Sequence, residues 1–107
     1  MPKNKPAPAA THSAASPSPA DTLDTGFMLA LRYKTPVITL EQAVADYLPY
    51  ISIDLARRRA SVQTLPFPVF RAENSQKSVW LVNIADIAAW LEKNRQSAAA
   101  EWKKMNS

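Results

Sequence analysis

The chain has 107 residues, with 13 Lys and Arg against 9 Asp and Glu, one His, one Gly and no Cys. That length supports one small domain. The lack of cysteine excludes a disulfide framework and thiolate chemistry, a single histidine removes most catalytic triads and multi-histidine metal sites, and a single glycine removes every glycine-rich phosphate loop.

No apolar run approaches the roughly 20 residues of a membrane helix. Lys3 and Lys5 have no apolar segment behind them, so no secretory signal is expected. Residues 1–20 hold six Ala, five Pro, three Ser and one Thr. Such a segment cannot bury enough surface to offset its conformational entropy. Residues 1–22 are therefore expected to form a disordered tail, with His12 a solvated side chain, and residues 23–107 to form the domain.

Asp24 or Thr25 can cap a first helix carrying Phe27, Met28, Leu29, Ala30 and Leu31, which stops near Pro36. Val37 and Ile38 are β-prone. Thr39-Leu40-Glu41-Gln42 reads as a capping box, with Thr39 accepting from the N–H of Gln42 and the Gln42 side chain reaching back. The helix behind it places Leu40, Ala43, Val44 and Tyr47 on one face, and Pro49 ends it.

Only Pro49, Tyr50 and Ile51 separate Leu48 from Ser52. Ser52 caps the next helix, with Asp54 in its first turn. Ile53, Ala56 and Ala60 share the inward face, while Asp54, Arg58 and Ser61 lie away from it. Leu55 and Val62 also point outward, against the pattern.

Pro66 and Pro68 force an extended chain. Val69–Arg71 and Ser78–Val82 read as two strands of a hairpin around the polar loop 72–77, with Trp80 and Trp90 expected in the core. Asn83 caps a last helix in which Ile84, Ile87, Ala88, Leu91, Ala98, Trp102 and Met105 hold one face. The fold class is thus mainly α with a small β-hairpin: a winged helix–turn–helix, preceded by a short helix and followed by a long C-terminal one.

The charge is unevenly spread. Residues 1–20 carry +2, residues 21–54 carry −3, residues 55–80 carry +4 and residues 81–107 carry +1. The positive charge falls on the second helix of the helix–turn–helix and on the hairpin, the elements that such folds set against DNA. Arg57-Arg58-Arg59 is the sharpest feature. Three consecutive residues splay over about 200° of helix, so they divide the work.

Arg58 faces away from the core and is expected at a base edge or phosphate. Arg57 and Arg59 are expected at flanking phosphates. Ser52, Asp54, Ser61 and Arg71 complete that face, and Asn74, Ser75, Gln76 and Lys77 can clasp the backbone as a wing. A solvated basic face with an intrachain pair to Asp54 is the competing reading. The acids Glu41, Asp46, Asp54, Asp86, Glu92 and Glu101 sit at caps or on polar faces. No catalytic residue, cofactor or metal is expected.

Thr25–Tyr33, Pro36–Tyr47, Leu65–Arg71, Ser75-Gln76-Lys77 and Ile84–Leu91 together resemble the pyocin activator (PrtN-like) family. The run Leu65-Pro66-Phe67-Pro68-Val69, then Trp80, Asp86-Ile87 and Trp90-Leu91, is similar to the wider excisionase and AlpA-like winged helix–turn–helix group. The resemblance implies a bacterial cytoplasmic, nucleoid-associated regulator that switches on bacteriocin genes by binding double-stranded promoter DNA, with RNA polymerase as a further partner. Two other readings stay open: an excisionase-like architectural protein that bends DNA, and a protein-binding adaptor whose arginines are merely solvated. Phe27, Leu31, Leu91, Trp102 and Met105 offer surface for a homodimer.

Overall fold

The computed structural model describes residues 24–74 and 78–107. The tail read in residues 1–22 and the wing residues Ser75, Gln76 and Lys77 lie outside them.

Helix α1 spans Thr25–Tyr33 and starts at the Asp24 carboxylate, which accepts from the N–H of Phe27 at 2.8 Å. It ends before Pro36, at Lys34, whose left-handed backbone lets its N–H reach the carbonyl of Ala30. Strand β1 (Val37–Thr39) runs directly into helix α2 (Leu40–Tyr47), and Thr39 serves both. Its hydroxyl accepts from the N–H of Gln42 at 3.1 Å.

The expected reciprocal half of that capping box is absent. Gln42 instead turns its side-chain amide to Asp46, 3.0 Å away. The amide N–H donates there to a charged carboxylate one turn ahead, and such a charge-assisted hydrogen bond fixes the side chain along the helix. Asp46 also receives the hydroxyl of Tyr33 and pairs with Arg32 at 3.3 Å. Burial acts to raise the Asp46 carboxyl, but those two hydrogen bonds and the Arg32 charge outweigh it and hold the group below the ordinary range. This junction ties α1 to α2.

Helix α3 covers Ile53–Ser61. It ends at Ser61, five residues before Pro66, because Gln63 takes a left-handed conformation with φ 55°. The side-chain amide of Gln63 then holds the carbonyl of Val69 at 3.0 Å. The stretch that follows bends at residues 65–67, where the prolines predict an extended chain, yet burial alternates along it: Leu65, Phe67 and Val69 are buried while Pro66, Pro68 and Phe70 are exposed.

Strand β2 (Phe70–Arg71) and strand β3 (Trp80–Asn83) pair antiparallel, a shorter hairpin than the sequence suggests. On its other edge β3 pairs with β1, Ile38 opposite Val82, so the sheet has three strands in the order β1-β3-β2. The hairpin is therefore anchored to the helical body through its second strand. Asn83 ends β3 and caps helix α4 (Ile84–Asn106), its side chain accepting from the N–H of Ala85.

The core lies between α2, α3, the sheet and the first half of α4. Leu40, Leu48, Val82 and Ile87 are its largest fully enclosed side chains. The Trp90 ring meets Phe67 edge-on at 5.4 Å and Tyr47 at 6.4 Å, joining α4 to the linker before β2 and to α2. The apolar face of α4 is only partly used by the body of the chain. Ile84, Ile87 and Ala88 are buried, but Trp102 and Met105 remain 65% and 81% exposed. The helix simply outruns the body it packs on.

Candidate nucleic-acid interface

The inward face of α3 is built from small side chains, Ala56 and Ala60, both wholly buried, with Ile53 partly buried against the core. Ser52 starts α3, its hydroxyl accepting from the N–H of Leu55 at 3.1 Å. With Ala56 and Ala60 inward, helical geometry turns Arg58 and Ser61 toward the hairpin. There they meet the opposite wall.

The result is a cleft of about 420 Å³. Leu40 and Glu41 of α2 form one end, and Arg57, Arg58 and Ser61 of α3 form one side. Arg71 of β2, Trp80 of β3 and the intervening Ser78 and Val79 form the other. Three guanidinium groups and one carboxylate thus share one concave surface between the second helix and the hairpin.

The arginines are held differently. Arg57 is bound within the chain, 2.8 Å from the Glu41 carboxylate and 3.5 Å from that of Asp54. Its hydrogen bond keeps the Glu41 carboxyl below the usual range despite partial burial. Both members are about half exposed, so the pair adds at most about 1 kcal/mol of stability. The Arg71 guanidinium lies over the Trp80 ring, 4.3 Å from its centroid. Among the described residues, neither the Arg58 nor the Arg59 guanidinium has an ion-pair partner.

Of the residues singled out in the sequence, the structure therefore gathers Arg57, Arg58, Ser61 and Arg71 in one cleft. Ser61 spends its hydroxyl on the carbonyl of Arg58 at 2.8 Å. Ser52 and Asp54 sit at the start of α3, the first as cap and the second beside Arg57. Arg59 is exposed but does not line the cleft, and Asn74 is exposed at the near end of the wing loop. The base of that loop is tied by the Ser78 hydroxyl, which accepts from the N–H of Glu73 at 3.1 Å.

Two residues of this surface escape a reading of the sequence. Glu41 reaches Arg57 across 16 positions, and no local pattern announces that pair. Trp80, read as core, is half buried and faces the cleft. The hairpin read from the sequence sets Arg71 opposite Ser78, whereas in the structure Arg71 lies directly opposite Trp80.

Two helices joined by a tight turn, with a hairpin standing beside the second, define a winged helix–turn–helix protein. The family model for pyocin activator protein PrtN matches residues 25–98, from the first residue of α1 into α4. The chain belongs to the pyocin activator family, regulators of pyocin genes. No curated protein and no solved structure gives a significant match. Among the described residues no helix is long and apolar enough to cross a membrane, and no group of His, Asp and Glu is arranged to hold a metal ion.

Proposed function

We propose that the chain activates pyocin genes by binding their promoter DNA, with α3 in the major groove and the β2–β3 hairpin against the sugar–phosphate backbone. The observation that carries this reading is the cleft itself. It sets the Arg58 guanidinium between a helix thin enough for a major groove and a hairpin that supplies Arg71 from the other side. Ser52 and Asp54 at the helix start, Arg59 on its outer side, and Asn74 with Ser75, Gln76 and Lys77 on the wing extend that contact surface.

The protein acts in the bacterial cytoplasm, at the nucleoid, where bound promoter DNA brings an exposed surface to RNA polymerase. A homodimer suits this work, because operators are commonly two-fold. Phe27 and Leu31 on the outer side of α1, and Trp102 and Met105 on the projecting end of α4, are exposed apolar residues that a second copy can cover.

Anisotropy of a labelled promoter duplex, titrated across salt concentrations, tests the proposal. With about four to six phosphates contacted, log K falls against log salt with a slope near −0.9 per phosphate. A flat salt response, or equal affinity for unrelated duplexes, contradicts sequence-specific groove binding. A reporter fusion in the same cells separates activation from mere occupancy or bending.

A further inference from the structure

The cleft has two walls, α3 and the hairpin, and residues 62–69 join the end of the first to the start of the second. At the end of α3 the carbonyl of Arg59 accepts from the N–H groups of Val62 and Thr64, and that of Ala60 from the N–H of Gln63. Gln63 takes the left-handed conformation there, with φ 55°. Glycine ordinarily fills such a position, because a Cβ crowds the following carbonyl. The side chain that replaces glycine here makes a contact that glycine cannot: its amide Nε2 donates to the carbonyl of Val69, 3.0 Å away. Val69 is buried and immediately precedes β2. One side chain therefore spans from the end of the second helix to the root of the wing.

We infer that Gln63 is a positioning residue of the interface: its side-chain amide clamps the root of β2 to the end of α3 and so fixes the separation of the two cleft walls. The inference rests on the DNA-binding reading above. Its physical basis is that two elements can meet one duplex together only at a set distance. The linker between them has no regular structure and bends at residues 65–67. The second strand of the hairpin is anchored to the body by pairing with β1. The first has only the short ladder of Phe70 and Arg71 with β3, the packing of Val69, and this amide. A wing held in place before binding loses less freedom on binding, which strengthens the contact. The amide is neutral, so it does this without adding charge to a surface that must attract phosphate.

Two substitutions in the full chain separate the clamp from the strain. Gln63→Gly removes both. Its urea midpoint is expected to stay near that of the parent, because left-handed strain is relieved as the hydrogen bond is lost. Gln63→Met keeps the length and the strain and removes only the donor, so its midpoint is expected to fall below both. Either variant is expected to bind a promoter duplex roughly 3- to 10-fold more weakly, with an unchanged salt slope, since no charge is altered.

Amide hydrogen exchange in the free protein supplies a readout that a direct contact between Gln63 and DNA would not move. In Gln63→Gly the N–H groups of the β2–β3 ladder are expected to exchange several-fold faster, while those of α2 and α3 keep the parent rate. Unchanged exchange in the hairpin, acceleration throughout the chain, or a loosened hairpin with undiminished affinity overturns the role assigned to Gln63. A parent that shows no salt-dependent DNA binding overturns the functional reading instead, and the exchange result stands apart from it. The two failures are therefore distinguishable.

Discussion

The two faces of α3 differ in nearly every physical property, although they share nine residues. The inward face is made of Ala56 and Ala60, with no side-chain entropy to lose and no exposed surface. The cleft face is made of Arg58 and Ser61, with long or polar side chains and solvent beside them. The first face fixes where the helix lies. The second determines what it meets. Because one helix carries both, stability and recognition can be altered separately, and each of the following substitutions tests that division.

The largest effect is expected on the packed side. Phe67 is 4% exposed and bridges the linker to Trp90. Phe67→Ala should cost about 3–5 kcal/mol of stability, measured by urea denaturation. Ala60→Leu forces about three extra side-chain heavy atoms into the α2–α3 contact, and should cost about 1–3 kcal/mol. If that variant is as stable as the parent, the helices are not in close contact and the division between faces fails.

Arg58→Ala sharpens the comparison from the other side. Its stability should stay within about 0.5 kcal/mol of the parent, as at an exposed site. DNA affinity should fall. A bidentate contact to guanine predicts a loss of about 1–3 kcal/mol and relaxed choice at one base pair. A phosphate contact predicts a uniform loss and a salt slope smaller by about one unit. An Arg58→Ala protein that unfolds, or that binds as tightly as the parent, places the recognition surface elsewhere.

A smaller effect is expected at the α1–α2 junction in acid. The Asp46 carboxyl is held below its unfolded value. The unfolded chain therefore takes up a proton first as pH falls. The stabilisation is complete above the unfolded value, near 4, and is lost as pH drops through the folded one. Denaturation midpoints measured from pH 6 down to pH 3 should fall, and Asp46→Asn should remove part of that fall while lowering stability at pH 6. The dependence should not vanish, because Glu41 is shifted the same way by Arg57.

Met105→Ser carries the smallest expected change in monomer stability, within about 0.5 kcal/mol, since the residue is 81% exposed. Sedimentation at micromolar concentration reads its other consequence. If the end of α4 is covered by a second copy, the variant dissociates more readily than the parent.

Much of this molecule is written in local chemistry. Thr39, Ser52 and Asn83 each cap the helix that the sequence assigns to them, and of the two candidates Asp24 and Thr25 it is Asp24 that caps the first, because a short polar side chain before an apolar repeat satisfies backbone donors wherever the helix lies. The prolines of residues 65–69 end regular structure as their chemistry requires, although the chain bends there and does not run straight, with Leu65, Phe67 and Val69 turned inward. The arginine run was legible as a basic helix face, since period and charge need no knowledge of neighbours.

Tertiary structure decided which charges are spoken for and which rings are buried. Gln42 abandons its cap for Asp46, Arg57 joins Glu41 of another helix, and Trp80 stacks under Arg71. Each is a choice among competing partners. It is settled by distances between elements far apart in the chain, which propensity and period do not contain. The same holds for α4. Its apolar stripe runs on to Met105, but burial stops near Leu91 because the sheet and the other helices extend no further. Sequence fixes the face a helix offers, and only the fold fixes how much of that face finds something to cover it.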